Sequence, residues 1–236
     1  MEKLKHKLPP YSIIDHLCLD DSTLTQLIDC VKFMDSNFKS VFETNKGLCG
    51  THHDLASQVY DNFYQINLTD STIDNPDVTI DDCEIINNDM ISSSYYYRKK
   101  QLYSTSGGVM DESTYTVKTK YYEQYQSLFD NILAKFKGRP TRIRLVKLMA
   151  GTNVLPHIDY DPSYAVRIIF PIISHHECLN LFWVKNNIEV TTFKPGNAYF
   201  LNTGYKHSVL NLSKTDRYTF MVSVKGTDDI DHIILD

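Results

Sequence analysis

From Thr141 to Val224 the chain is a succession of short runs of Ile, Val, Phe, Tyr and Leu, and turn-forming residues interrupt them about every eight to twelve positions. That punctuation narrows the possible folds more than any other feature. We read strands near 142–149, 153–159, 165–173, 178–184, 188–193, 197–202, 206–211 and 217–224. The turns between them include Ala150-Gly151, Asp161-Pro162-Ser163, Lys185-Asn186-Asn187, Pro195-Gly196 and Thr203-Gly204, residues that tolerate tight or left-handed backbone. Eight such strands suit a jelly roll.

Ahead of this region the hydrophobic period becomes helical. Leu24, Leu27, Ile28, Val31 and Met34 recur at spacings of three and four after the N-cap types Asp21 and Ser22, which predicts a helix over 21–36. Leu55, Val59, Phe63 and Ile66 predict a second helix after Thr51. Tyr122, Tyr125, Phe129, Ile132, Leu133 and Phe136 predict a third, ended by Gly138 and Pro140. The polar stretch from Asn67 to Ser94 reads as loop, with a strand-like patch around Val78 to Ile86. The tract from Ser92 to Asp111, with Tyr95-Tyr96-Tyr97 followed by Arg98-Lys99-Lys100, reads as an exposed edge and connection, with a functional lid as the alternative. The expected architecture is a single domain, 1–236, mainly β with flanking α-helices. Within it, 1–137 form a mostly helical and loop support region, 138–227 a cupin-like jelly-roll core, and 228–236 a C-terminal tail.

Composition bounds the function. Hydrophobic residues at 42% and charged residues at 22% describe an ordinary globular chain. A net charge of -5 without a long basic run argues against a nucleic-acid partner. The five cysteines are scattered, with no C-x-x-C pair, and read as thiols in a reducing compartment. No apolar run reaches membrane-spanning or signal-peptide length, so a cytoplasmic protein without a membrane partner is expected.

Two H-x-D triplets are present, and their contexts separate them. His52 and Asp54 open a helical pattern, where residues two apart diverge, and they suit a helix N-terminus. His157 and Asp159 lie in strand-rich sequence, where residues two apart share a face and can hold one ion. His207, four strands further on, supplies a third donor on the scale at which a jelly roll brings distant strands together. Two imidazoles and a carboxylate make the facial triad of non-haem Fe(II) oxygenases, which leaves positions open for a cosubstrate and O2. Downstream, Arg217 begins the apolar strand Arg217-Tyr218-Thr219-Phe220-Met221-Val222. It calls for a carboxylate partner, to which Thr219 can add a hydroxyl on the same face.

The order His157-x-Asp159, His207, Arg217-x-Thr219, with the run KPGNAYFLNTGYKHSVLNLSKTDRYTF, resembles the Fe(II)/2-oxoglutarate-dependent oxygenases over the C-terminal part of the chain. Within them it is most similar to the aspartyl/asparaginyl β-hydroxylase-like branch, which includes free-proline hydroxylases. Asp159 brings it nearer to the proline-hydroxylase-like members, because the aspartyl/asparaginyl enzyme itself lacks the carboxylate ligand. The same residue argues against the halogenating relatives. The resemblance implies a double-stranded β-helix, Fe(II) held by His157, Asp159 and His207, and the distal carboxylate of 2-oxoglutarate held by Arg217 and Thr219. It also implies O2-dependent hydroxylation of an unactivated C–H bond of a small amino acid or an amino-acid side chain, coupled to conversion of 2-oxoglutarate to succinate and CO2.

Several residues carry two readings. Arg167, inside Val166-Arg167-Ile168-Ile169-Phe170, either faces the cavity and binds a substrate or cosubstrate carboxylate or points outward as a surface charge. His175-His176 with Glu177 reads as a polar corner before a second metal site, Asp161 as a turn initiator, and Trp183 as core. The competing function is a non-catalytic cupin-like module that binds a metal or a small acid. Such a module has no need of Arg217-x-Thr219.

Overall fold

The computed structural model describes residues 7–40, 62–71, 112–159, 161–162 and 165–225. Its first elements are β1 (Tyr11–Ile13), α1 (Asp21–Phe33), β2 (Lys39–Ser40), β3 (Phe63–Asn67) and β4 (Thr69–Ser71). Then come β5 (Tyr115–Lys118), α2 (Lys120–Gln124), α3 (Gln126–Leu133), β6 (Pro140–Leu148), β7 (Thr152–His157) and β8 (Ala165–Ile173). The chain closes with β9 (Cys178–Val184), β10 (Asn187–Thr192), β11 (Tyr199–Leu201), β12 (Lys206–Asn211) and β13 (Arg217–Lys225).

The eight strands from β6 onward alternate between two antiparallel sheets, save that β9 and β10 form a hairpin within one of them. One sheet has the order β1-β11-β8-β13-β6-β3-β2, the other β10-β9-β12-β7. The other consecutive strands therefore cross from sheet to sheet, with the β9–β10 and β13–β6 pairings closing the pattern, and the core is a double-stranded β-helix. Turn chemistry explains the corners. Gly196 has φ of +83°, in the left-handed region that favours glycine, and a Cβ there would meet Leu24 at 3.4 Å.

The larger sheet is buried on both faces, apolar on the side that meets the helices and partly charged on the side that meets the smaller sheet. Val166, Ile168, Phe170 and Ile172 of β8 and Phe220, Val222 and Val224 of β13 turn outward into a cluster with Leu27, Val31, Phe129 and Ile132 of the helices. Phe129 stacks on Phe220 at 5.7 Å, and Phe220 lies 5.6 Å from Phe170. Between the sheets, Ile169 joins Phe182, Phe193 and Tyr199. Arg167 shares the inward face of β8 with Ile169, since strand residues two apart point the same way.

Four local differences from the sequence reading have physical causes. Helix α1 is capped by Asp20, whose carboxylate accepts from Thr23 N at 2.7 Å. Phe63 and Ile66 are not helical: Phe63–Asn67 is a strand, because its pairing with β6 from Phe63↔Leu148 to Asn67↔Arg144 outweighs a helical spacing of four residues. The third helix is broken into α2 and α3 at Tyr125, where φ is -126° and ψ 32°. Trp183 is only half-buried, with the Lys206 ammonium 5.1 Å above its ring, and Phe182 fills the core instead. His52, Asp54, the Val78–Ile86 patch and the Ser92–Asp111 tract lie outside the described residues. Among the described residues, no helix is long and apolar enough to cross a membrane.

Candidate metal centre

β7 and β12 are neighbours in the smaller sheet, and His157 pairs directly with His207. Asp159 lies just past the end of β7 rather than on it. Its position comes from its backbone N–H, which donates to the Thr203 carbonyl at 3.0 Å and pins the departing chain to the loop before β12. One donor atom from each of the three side chains lies within 4.8 Å of the others. His157 Nε2 is 3.7 Å from Asp159 Oδ1, and His207 Nε2 is 4.0 Å from Asp159 Oδ2.

The rings are oriented by their other nitrogens. His157 Nδ1–H donates to the Leu155 carbonyl at 2.7 Å, and His207 Nδ1–H donates to the Tyr205 carbonyl at 3.0 Å. Each bond fixes the tautomer with a proton on Nδ1, so both Nε2 lone pairs face Asp159. Burial and the adjacent His157 lower the His207 pKa to about 4 against the opposing pull of Asp159, which keeps the ring neutral and able to ligate. Burial raises the Asp159 pKa, but His157, His207 and Arg167 together bring it below the ordinary value. The His157 imidazole, a neutral His207 and an ionised Asp159, set a small side-chain movement away from a common centre, fit a divalent first-row metal.

Arg217 projects between the sheets, 5% exposed, and its Nη1 donates to Asn180 Oδ1 of β9 at 3.1 Å. Its Nε has no partner, and among the described residues it meets no carboxylate. Burial lowers its pKa to about 10, with the Cys178 thiol acting weakly in the other direction. Thr219, also 5% exposed, sits two residues on, opposite Pro171, where the β13–β8 ladder shifts register because proline has no N–H to donate. A buried guanidinium with an unused edge is a receptor for a planar anion.

Arg167 is 6% exposed, so it is not a surface charge. Its Nη2 donates to Glu112 Oε1 at 2.8 Å and its Nη1 to Met221 Sδ at 3.5 Å. Glu112, Arg142 and Arg144 escaped the sequence reading. Glu112 also accepts from Arg142 Nη1. Arg144 donates to Gln65 Oε1 at 3.1 Å and to Met221 Sδ at 2.9 Å. The alternation Arg142-Ile143-Arg144 inside an apolar strand is the signal that could have found the two arginines, whereas nothing local marks Glu112. His175 and Glu177 form the exposed polar corner expected of them, 3.2 Å apart. The Asp161 carbonyl accepts from Ala165 N as a turn residue does, although its side chain is buried.

Residues 109–226, half of the chain, match the model of the family described as Aspartyl/Asparaginyl beta-hydroxylase. Similar solved structures include a Pseudomonas putida prolyl-4-hydroxylase, 11% identical, covering 91% of each chain with a TM-score of 0.46. A 2OG-Fe(II) oxygenase family oxidoreductase from Burkholderia pseudomallei is 9% identical over 71% of this chain and 70% of that one, with a TM-score of 0.43. The non-heme alpha ketoglutarate dependent epimerase SnoN from nogalamycin biosynthesis is 9% identical over 93% and 79%, with a TM-score of 0.45. No curated protein matches the chain.

Proposed function

The chain belongs to the aspartyl/asparaginyl β-hydroxylase family, and from that premise we propose that it is an Fe(II)- and 2-oxoglutarate-dependent dioxygenase acting on a small amino acid or an amino-acid side chain. The observation that carries this reading is the pair of imidazoles whose Nδ1–H groups are both spent on backbone carbonyls, so that both Nε2 atoms converge on Asp159. His157, Asp159 and His207 would hold the iron. With 2-oxoglutarate and O2, the bound iron supplies the oxidising chemistry, in which 2-oxoglutarate gives succinate and CO2 and one oxygen atom enters a substrate C–H bond.

The chain's own residues do the rest. Arg217, aligned by Asn180, takes the distal carboxylate of 2-oxoglutarate through charge-assisted hydrogen bonds, with Thr219 beside it. Because Arg217 is shielded from water, that contact is stronger than it would be at the surface, and it orients the cosubstrate toward the metal end. Asp159 stays ionised and His207 stays neutral, so neither has to exchange a proton before metal binding. Arg167, tethered by Glu112, extends the cationic lining toward the triad and gives the prime substrate a fixed boundary.

The test is succinate formation by the full chain with Fe(II), 2-oxoglutarate and ascorbate in air, across a panel of free amino acids and short peptides. A substrate-stimulated, Fe(II)-dependent rise in succinate with a product 16 Da heavier supports the reading. Equal succinate with and without iron would overturn it.

A further inference from the structure

The space between the sheets holds more positive charge than the hydroxylase chemistry uses. Arg142, Arg144 and Arg167 are 6%, 3% and 6% exposed, and Glu112, 2% exposed, is the carboxylate that pairs with them. Glu112 Oε1 serves Arg142 and Arg167, and among the described residues Arg144 has no ion-pair partner. Among the described residues Arg144 hydrogen-bonds neutral groups, the Gln65 amide oxygen and the Met221 thioether, and its Nε meets no partner there. Desolvation and the two neighbouring guanidiniums push it well below the usual arginine range, with Glu112 and Asp159 pulling back. With a metal bound, Asp159 would be taken up as a ligand and would offset Arg144 less.

A guanidinium this deeply buried beside two like charges is retained at a cost in stability unless an anion joins it. Its place on β6 is next to β13, where Met221 touches both Arg144 and Arg167. Arg217 lies two strand positions away from the Thr219 level and engages Asn180 on the opposite sheet, so the two receptors are separate. We infer that Arg144 is the anchor for an anionic group, a carboxylate or other oxyanion, carried by the prime substrate. Glu112 limits the cluster to one such group by pairing with Arg142 and Arg167. The inference rests on the hydroxylase reading of the metal centre.

Inorganic sulfate, titrated into the metal-free full chain at constant ionic strength, is the probe, with melting temperature and calorimetry as readouts. Sulfate raises the wild-type melting temperature saturably. Arg144→Met loses at least about tenfold in sulfate affinity, as expected for removing one side of a desolvated charge pair, while Arg144→Lys keeps part of it. Without anion, Arg144→Met melts no lower than wild type, because the variant removes a buried charge that no carboxylate among the described residues pairs with directly. A merely structural arginine would give the opposite result. 2-Oxoglutarate affinity in the Fe(II)-loaded Arg144→Met protein stays within about twofold of wild type. Wild-type sulfate affinity in Arg144→Met, or a parallel loss of 2-oxoglutarate binding, overturns the assignment. If wild type binds sulfate through Arg144 and binds no 2-oxoglutarate, the anion receptor stands and the proposed function falls.

Discussion

His207 on β12 lies directly opposite His157 on β7, with ring centroids 4.3 Å apart and ring planes tilted by 53°. Neither ring can turn away without breaking the Nδ1–H bond to the carbonyl two residues before it, so the backbone of two paired strands sets the spacing of two candidate metal donors. The strands are also held by β9 on the far side of β12, where His207 pairs with Phe182.

Replacing His157, Asp159 or His207 singly with Ala is expected to abolish iron retention and turnover while leaving a folded protein, because each side chain sits at the end of a strand and not in the apolar clusters. Iron content and circular dichroism of the purified variants check this. Asp159→Ala is the most informative, since its backbone bond to Thr203 survives the change.

Arg217→Ala should weaken 2-oxoglutarate binding by about 2 to 5 kcal/mol, a factor of tens to thousands, with a much smaller effect on the prime substrate. Lysine at this position should recover only part, because an ammonium cannot make the two-pronged contact. Asn180→Ala should cost less, about 1 kcal/mol, since it removes only the group that aims Arg217. Calorimetry on the three variants ranks them.

Glu112 accounts for a stability effect with a definite pH signature. Burial favours its neutral form, but Arg167, Arg142 and Arg144 overcome this and lower its pKa from 4.5 to about 2. Because the folded-state value lies below the unfolded one, the stabilisation is complete above about pH 4.5 and is lost as pH falls toward 2. The shift corresponds to something on the order of 3 kcal/mol. Glu112→Gln should therefore unfold more easily at pH 7 and show a shallower loss of stability over that acid range. Urea titrations at several pH values measure both.

Arg167→Ala should uncouple the reaction, so that 2-oxoglutarate is slowly consumed while less substrate is hydroxylated, because the guanidinium bordering the triad is gone. Succinate and hydroxylated product measured in parallel decide it: an unchanged ratio with an unchanged substrate KM would reduce Arg167 to a partner for Glu112.

Much of the barrel was legible because its turns are written locally. Lys185-Asn186 closes β9 onto β10, with φ of +54° at Lys185, and the runs 165–173, 178–184 and 206–211 coincide with β8, β9 and β12. The convergence of His157, Asp159 and His207 was legible because ligand chemistry restricts the residue types to look for. Strand β3 was not, since Phe63–Asn67 is a strand only by virtue of its partner β6, which lies far along the chain. Glu112 was equally silent: its role exists only where the fold brings Arg142 and Arg167 to it. The direction of Arg167 was ambiguous for a physical reason, because helices cover one face of β8 and the second sheet covers the other, so periodicity distinguishes neither.

The most direct test of the account is an anaerobic titration of Fe(II) and then 2-oxoglutarate into the metal-free protein, followed by visible absorption. The account predicts one iron per chain and a charge-transfer band that appears only when both are present, is lost in His207→Ala, and needs far more 2-oxoglutarate in Arg217→Ala. A wild-type protein that binds no iron, or binds it equally well in His207→Ala, would contradict it.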